Sequence, residues 1–188
     1  MQHRIVLRTL LIAGSLTGIA ACSETPTSSN AVDHLTAHMN SQAAAVISSA
    51  PTALVQSVRQ ATARFHSTTQ ATKAGYVSDP ICVQSPLGAM GYHWLNRPLI
   101  DRVFDPQSPE VVLYEPGPSG TRTLVALEYI VLNVGQARPS FGGQLFDIGG
   151  VPPLTAGGIA HWSLHVWMYR DNPAGMFNRF NTAVSCTP

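Results

Sequence analysis

Charge is scarce in this chain. Only 11% of its 188 residues are Asp, Glu, Lys or Arg, and lysine occurs once, as Lys73. A disordered or solvating tail needs far more charge, so the composition points to a folded domain. The formal charge is +1, and setting aside Arg4 and Arg8 leaves nine basic and ten acidic residues, about −1. No basic patch is available to neutralise phosphates, which argues against nucleic acid as a partner. One lysine also disfavours Schiff-base and P-loop chemistry, and no glycine-rich phosphate loop, nucleophile elbow or CxxC pair occurs. Apolar residues make up 45%, and 14 prolines with 15 glycines imply many turns. The length suits one domain with one core.

The N-terminus reads as an address. Residues 1–8 (MQHRIVLR) are basic and residues 9–20 (TLLIAGSLTGIA) are apolar with small side chains. The run is short for a membrane span and has the n-region and h-region of a signal peptide. It ends in Ile19-Ala20-Ala21-Cys22, which resembles the bacterial lipobox. That resemblance implies cleavage after residue 21 and a mature N-terminal Cys22 carrying acyl chains in a bilayer leaflet. Ser23, rather than Asp, follows it, which by the same resemblance favours the outer membrane, facing the periplasm, in a diderm cell. The remaining cysteines, Cys82 and Cys186, are then an even pair in an oxidising compartment. A bridge would close a loop of about 105 residues, on the order of 4–5 kcal/mol in the chain-entropy picture. The alternative is two free or metal-bound thiols.

Residues 22–50 read as a polar tether followed by a marginal Ala-rich helix. His34 and His38 would share a face of that helix, a spacing that fits a metal pair or two solvated side chains. Residues 51–188 form the domain. Leu54, Val55, Val58, Ala61, Thr62 and Phe65 recur at helical spacing from Pro51 onward, with a break expected near Ser67 and a stop at Gly75. Their stripe should cover one face of a sheet. Asp79-Pro80 reads as a turn. Met90–Leu95 reads as a strand in which Met90, Tyr92 and Trp94 alternate with Gly91, His93 and Leu95. Residues 111–114 and 121–132 form a hairpin around Pro116–Gly120. The second strand is apolar on both faces and should be central. Residues 135–158 are a long Gly/Pro-rich loop of the kind usually kept for function. Residues 160–170 alternate Ala160, Trp162, Leu164, Val166 and Met168 with His161, Ser163, His165, Trp167 and Tyr169. The first set reads as core and the second as a pocket lining. The fold class is α+β, an N-terminal helix or helical pair on a mainly antiparallel sheet curled toward a barrel.

Glu128 carries the most chemical information. Every neighbour in LVALEYIVL is apolar, so its carboxylate must be paired, metal-bound or protonated. Pairing with Arg97, Arg102 or Arg122 is the structural reading. Convergence with His93 and His165 gives either a hydrogen-bonded His–Glu network or a two-His-one-carboxylate site for Zn, Fe or Cu. Tyr92, His161, Ser163, Trp167 and Tyr169 are the pocket residues that would accompany it, with Tyr92 or Tyr169 as proton donor should the site be catalytic. An apolar small-ligand cavity and a purely structural lipoprotein without a ligand are the other readings.

The segments Gly88–His93, Pro109-Glu110-Val111, Leu113–Glu115, Glu128-Tyr129, Leu164–Trp167, Asn172-Pro173, Gly175–Phe177 and Cys186 together resemble a group of exported bacterial proteins of unknown function. The resemblance spans about residues 61–186. It implies that His93, Glu128 and His165 belong to a shared pattern, and it implies no activity.

Overall fold

The computed structural model describes residues 50–187. The signal segment, Cys22, the tether and the pair His34 and His38 lie outside the described residues. Helix α1 (Thr52–Thr62) starts after Pro51, passes through a 3-10 turn at Ala63–His66 and gives way to α2 (Thr68–Lys73). The break falls at Ser67, whose extended backbone and Oγ, accepting the Gln70 N–H, start α2 as an N-cap. Gly75, at φ +98°, turns the chain out of the helix, where only glycine is unstrained.

Eight strands follow: β1 (Val77–Ser85), β2 (Gly88–Leu95), β3 (Val111–Pro116), β4 (Arg122–Leu132), β5 (Ser140–Phe141), β6 (Gln144–Leu145), β7 (Asp147–Ile148) and β8 (His161–Val166), with a short α3 (Pro152–Ala156) before the last. β5 and β6 form their own hairpin. The other six make one antiparallel sheet in the order β1-β2-β3-β4-β8-β7, curled into a half-barrel beside the helices, an α+β fold. Among the described residues no helix is long and apolar enough to cross a membrane.

β4 is central, and all of Leu124–Val131 is buried, as its two apolar faces predict. One face packs Leu124, Leu127, Tyr129 and Val131 with Val58 and Phe65 of the helical segment and with Phe141 and Phe146 of the long loop. The even residues of β8 and beyond, Trp162, Leu164, Val166 and Met168, join this core, whereas Ala160 is exposed ahead of the strand. The other face packs Val111, Leu113, Ala126 and Ile130 under the C-terminal tail and α3, through Val184, Phe180, Val151 and Leu154. Cys82 and Cys186 are bridged, tying that tail to β1, and Ala89 and Asn181 exchange backbone hydrogen bonds beside it.

Three local features depart from simple alternation. Asp79-Pro80 is not a turn but sits inside β1, where the register slips between Ser78 and Cys82. β1 is an edge strand, so a residue without an N–H is tolerated there. In β2 the register slips at Met90, so that Met90 joins the face of His93 and Leu95 rather than that of Tyr92 and Trp94. In β4 a slip at Val125 puts Leu124 with Leu127 and Val125 with Ala126. Gly91 allows the β2 bulge: it has φ +96°, and a Cβ there would lie 2.5 Å from the Tyr114 carbonyl oxygen. Gly91→Ala is expected to destabilise the domain by at least about 2 kcal/mol in urea unfolding, because strain and clash add.

Glu110, just ahead of β3, is a second buried acid. Its Oε2 accepts the Ile130 N–H at 2.9 Å. Burial raises its pKa to about 8, although the hydrogen bond from Ile130 opposes the rise. The folded chain therefore keeps a proton that the unfolded chain loses near its ordinary value of 4.5. This group's contribution to stability falls as pH rises from about 4.5 to about 8 and is level above. Glu110→Gln should remove that fall, gaining a few kcal/mol on wild type between pH 5 and pH 9 when urea midpoints are compared.

Candidate metal centre and its pocket

Antiparallel register builds the site. Glu128 of β4 stands directly opposite His165 of β8, Val111 of β3 stands opposite Glu128, and Leu95 of β2 stands opposite Val111. The four form a row across the sheet on the face under the C-terminal tail. His93 lies two residues before Leu95 and shares its face. β2 and β4 are not neighbours, since β3 runs between them. The short Val111 side chain and the curl of the sheet let His93 reach over β3.

The result is a compact trio. His93 Nε2 lies 3.9 Å from Glu128 Oε2, and His165 Nδ1 lies 3.8 Å from Glu128 Oε1. The two imidazoles meet edge-on with centroids 5.9 Å apart. One donor atom from each residue fits within a 4.8 Å span. Neither contact to Glu128 is short enough for a hydrogen bond. The His165 Nε2 is fully buried and has no partner among the described residues. The expected choice of Arg97, Arg102 or Arg122 as counter-ion is not realised: Arg122 stacks over the Tyr92 ring, and the guanidinium whose charge acts on Glu128 belongs to Arg179.

Burial dominates the electrostatics. It lifts the Glu128 carboxyl to about 8, with Arg179 pulling the other way. It lowers His93 to about 4, opposed by Asp79 and by a backbone contact with Gly91. It lowers His165 well below the usual histidine value, helped by the charges of His93 and Arg179. Burial thus favours the uncharged form of all three groups when nothing lies between them. Neutral imidazole is the form that ligates metals, and a cation placed between the three would favour the ionised carboxylate. Two imidazole nitrogens and one carboxylate suit Zn, Fe or Cu and leave coordination positions open.

The trio lies at the floor of a cavity of about 460 Å³. Ile81, Val83, Met90, Leu95, Val111, Ile130, Val151, Pro152, Pro153 and Phe180 make its walls apolar, and Asp79 and Arg179 supply the remaining charge. His93 keeps 19% of its side chain open, whereas Glu128 and His165 are nearly closed.

The other expected pocket residues lie elsewhere or are engaged. Tyr92 points to the opposite face from His93, its ring 4.0 Å beneath Arg122. Tyr169 lies past the end of β8, so alternation no longer holds it on the pocket face. Its hydroxyl meets Thr62 Oγ1 at 2.7 Å and its ring meets His66. Neither tyrosine can serve as proton donor at the trio. Trp167 is buried under the tail, donating its indole N–H to the Asn178 carbonyl. His161 and Ser163 do share the face of His165, but both hold the pocket wall. His161 Nδ1 donates to the Ile159 carbonyl while Nε2 accepts the Val151 N–H, and Ser163 Oγ donates to the Gly149 carbonyl. Asp79 and Arg179 went unrecognised because neither sits in a periodic segment. The one signal for Arg179 was Cys186, which pins the tail that carries it. No protein-family model, curated protein or solved structure matches the chain.

Proposed function

We propose that this chain is an exported, lipid-anchored binding protein that holds a divalent metal ion on His93, Glu128 and His165 at the floor of a small-molecule pocket. The observation that carries the reading is the trio itself. Three ligand-type groups, His93 half-buried and the other two buried, approach within 4.8 Å without hydrogen-bonding one another, in the lining of a largely apolar cavity. Such a cavity with a few convergent polar groups is the usual form of a ligand site. The lipobox ending at Cys22 supports export and anchoring, and the Cys82–Cys186 bridge is consistent with an oxidising compartment. A metal-dependent enzyme on the same ligands is the weaker reading, since its expected proton donors, Tyr92 and Tyr169, are engaged elsewhere.

Metal analysis of the purified protein after exposure to Zn, Fe(II) or Cu(II) should find about one equivalent bound. His93→Ala and Glu128→Gln should each weaken that binding by at least about a hundredfold, and His93, being partly open, is the change best tolerated by the fold. Protein that stays metal-free with undiminished stability would sink the reading.

The anchor has a separate check. Palmitate labelling of the protein in a bacterial host should be retained by wild type and lost in Cys22→Ala, which should also leave the membrane fraction. Label persisting in that variant would place the lipid elsewhere, and wild type that takes up no label would carry none.

A further inference from the structure

The charge and shape above the trio indicate what the pocket takes. Its walls are apolar, from Ile81 and Met90 on one side to Val151 and Phe180 on the other. A divalent ion held by two neutral imidazoles and one carboxylate keeps a net positive charge and open positions, which favour an anionic oxygen donor. Among the described residues Arg179 is the only Lys or Arg in the lining. Its ion-pair partner among them is Asp147, at 3.5 Å, and the two side chains are 40% and 52% exposed. A pair so open to water is weak and readily exchanged for a better one. Gly150 supports this placement. A Cβ there would come within 3.1 Å of the Arg179 Nη2 and 2.5 Å of Ser163 Oγ, so glycine leaves the room that the guanidinium occupies at the pocket wall. The planar fork of arginine matches a carboxylate with two parallel hydrogen bonds.

We infer that the pocket binds a small amphipathic carboxylate, its acid group shared between the bound metal and Arg179 and its apolar body lying along the walls. This rests on the metal reading above and specifies its ligand. Asp79, the charged lining residue outside the trio and Arg179, disfavours a second negative charge on the ligand, so the class is a monocarboxylate.

The test uses the purified full-length protein loaded with Co(II), its metal content measured first. Octanoate, 4-phenylbutyrate and cyclohexylacetate are titrated in turn, each against its neutral amide, by calorimetry and by the visible bands of the cobalt. At least one carboxylate should bind with 1:1 stoichiometry, shift the cobalt bands and exceed its amide about tenfold or more in affinity. Arg179→Met should erase most of that preference while binding of the amide changes little. Metal content and thermal unfolding of the same sample separate loss of the anion contact from loss of the site. The carboxylate–amide contrast in wild type stands even should the variant fail to fold. Amides binding as well as acids, or none of the three acids binding to cobalt-loaded protein, would overturn this inference and leave the metal reading intact. Protein that takes up neither cobalt nor Zn, Fe(II) or Cu(II) would overturn both.

Discussion

A carboxyl group in the middle of a strand that is covered on both sides is the constraint around which this domain is arranged. Leu127 and Tyr129 turn to the helix-covered face, so Glu128 must turn to the other, between Val111 and Ile130. Left alone and ionised there, it would cost several kcal/mol. The fold answers with two imidazoles, brought over by β2 and β8, and with Arg179, brought by the tail. The histidines pay their own desolvation penalty, which is why all three groups prefer their neutral forms when nothing lies between them. Three polar groups in one dry spot are hard to account for as packing alone, because each would be better replaced by an apolar residue of similar size.

The separations bear on the choice between a hydrogen-bonded network and a shared ligand. A network would close the contacts to roughly 2.7–3.2 Å, whereas the two contacts to Glu128 are 3.9 and 3.8 Å. Ligand atoms about 2.0–2.2 Å from a common ion stand about 3–3.6 Å from each other. The trio is already near that spacing around Glu128, and its widest separation, within 4.8 Å, needs the two rings to approach by about 1 Å.

Much of this arrangement is legible in the residues. The unbroken apolar run of β4 identifies the central strand, a lone acid within it identifies the site, and the alternation of His161, Ser163 and His165 identifies the face. The break at Ser67 and the Pro116–Gly120 hairpin follow from cap and turn chemistry. Bulges are not legible in the same way. A strict period of two puts Met90 with Tyr92, but the positive φ of Gly91 shifts the register and sends Met90 into the pocket wall. Nor does alternation say where a strand ends, and Tyr169 leaves the pocket face for that reason. Asp79 and Arg179 depend on an edge-strand irregularity and on the path of a tail, both set by tertiary contacts that leave no local pattern.

The two faces of the sheet are packed differently. The helix-side face is filled by large rings, Phe65, Tyr129, Phe141 and Phe146 among them, gathered in one cluster. The other face is roofed by a tail whose apolar contributions are few, chiefly Phe180 and Val184. That roof is fastened at several points. The disulfide fixes one end to β1, the Ala89–Asn181 hydrogen bonds fix the segment beside it, and His161 and Ser163 hold the loop that carries Gly150 and Val151. The buried ionisable groups, which work against stability, lie in the lining of the pocket beneath this roof. The cross-link and two polar residues of β8 thus fasten the roof and the wall of the pocket in which the trio lies, a second physical reason, beside the trio, to regard it as a site.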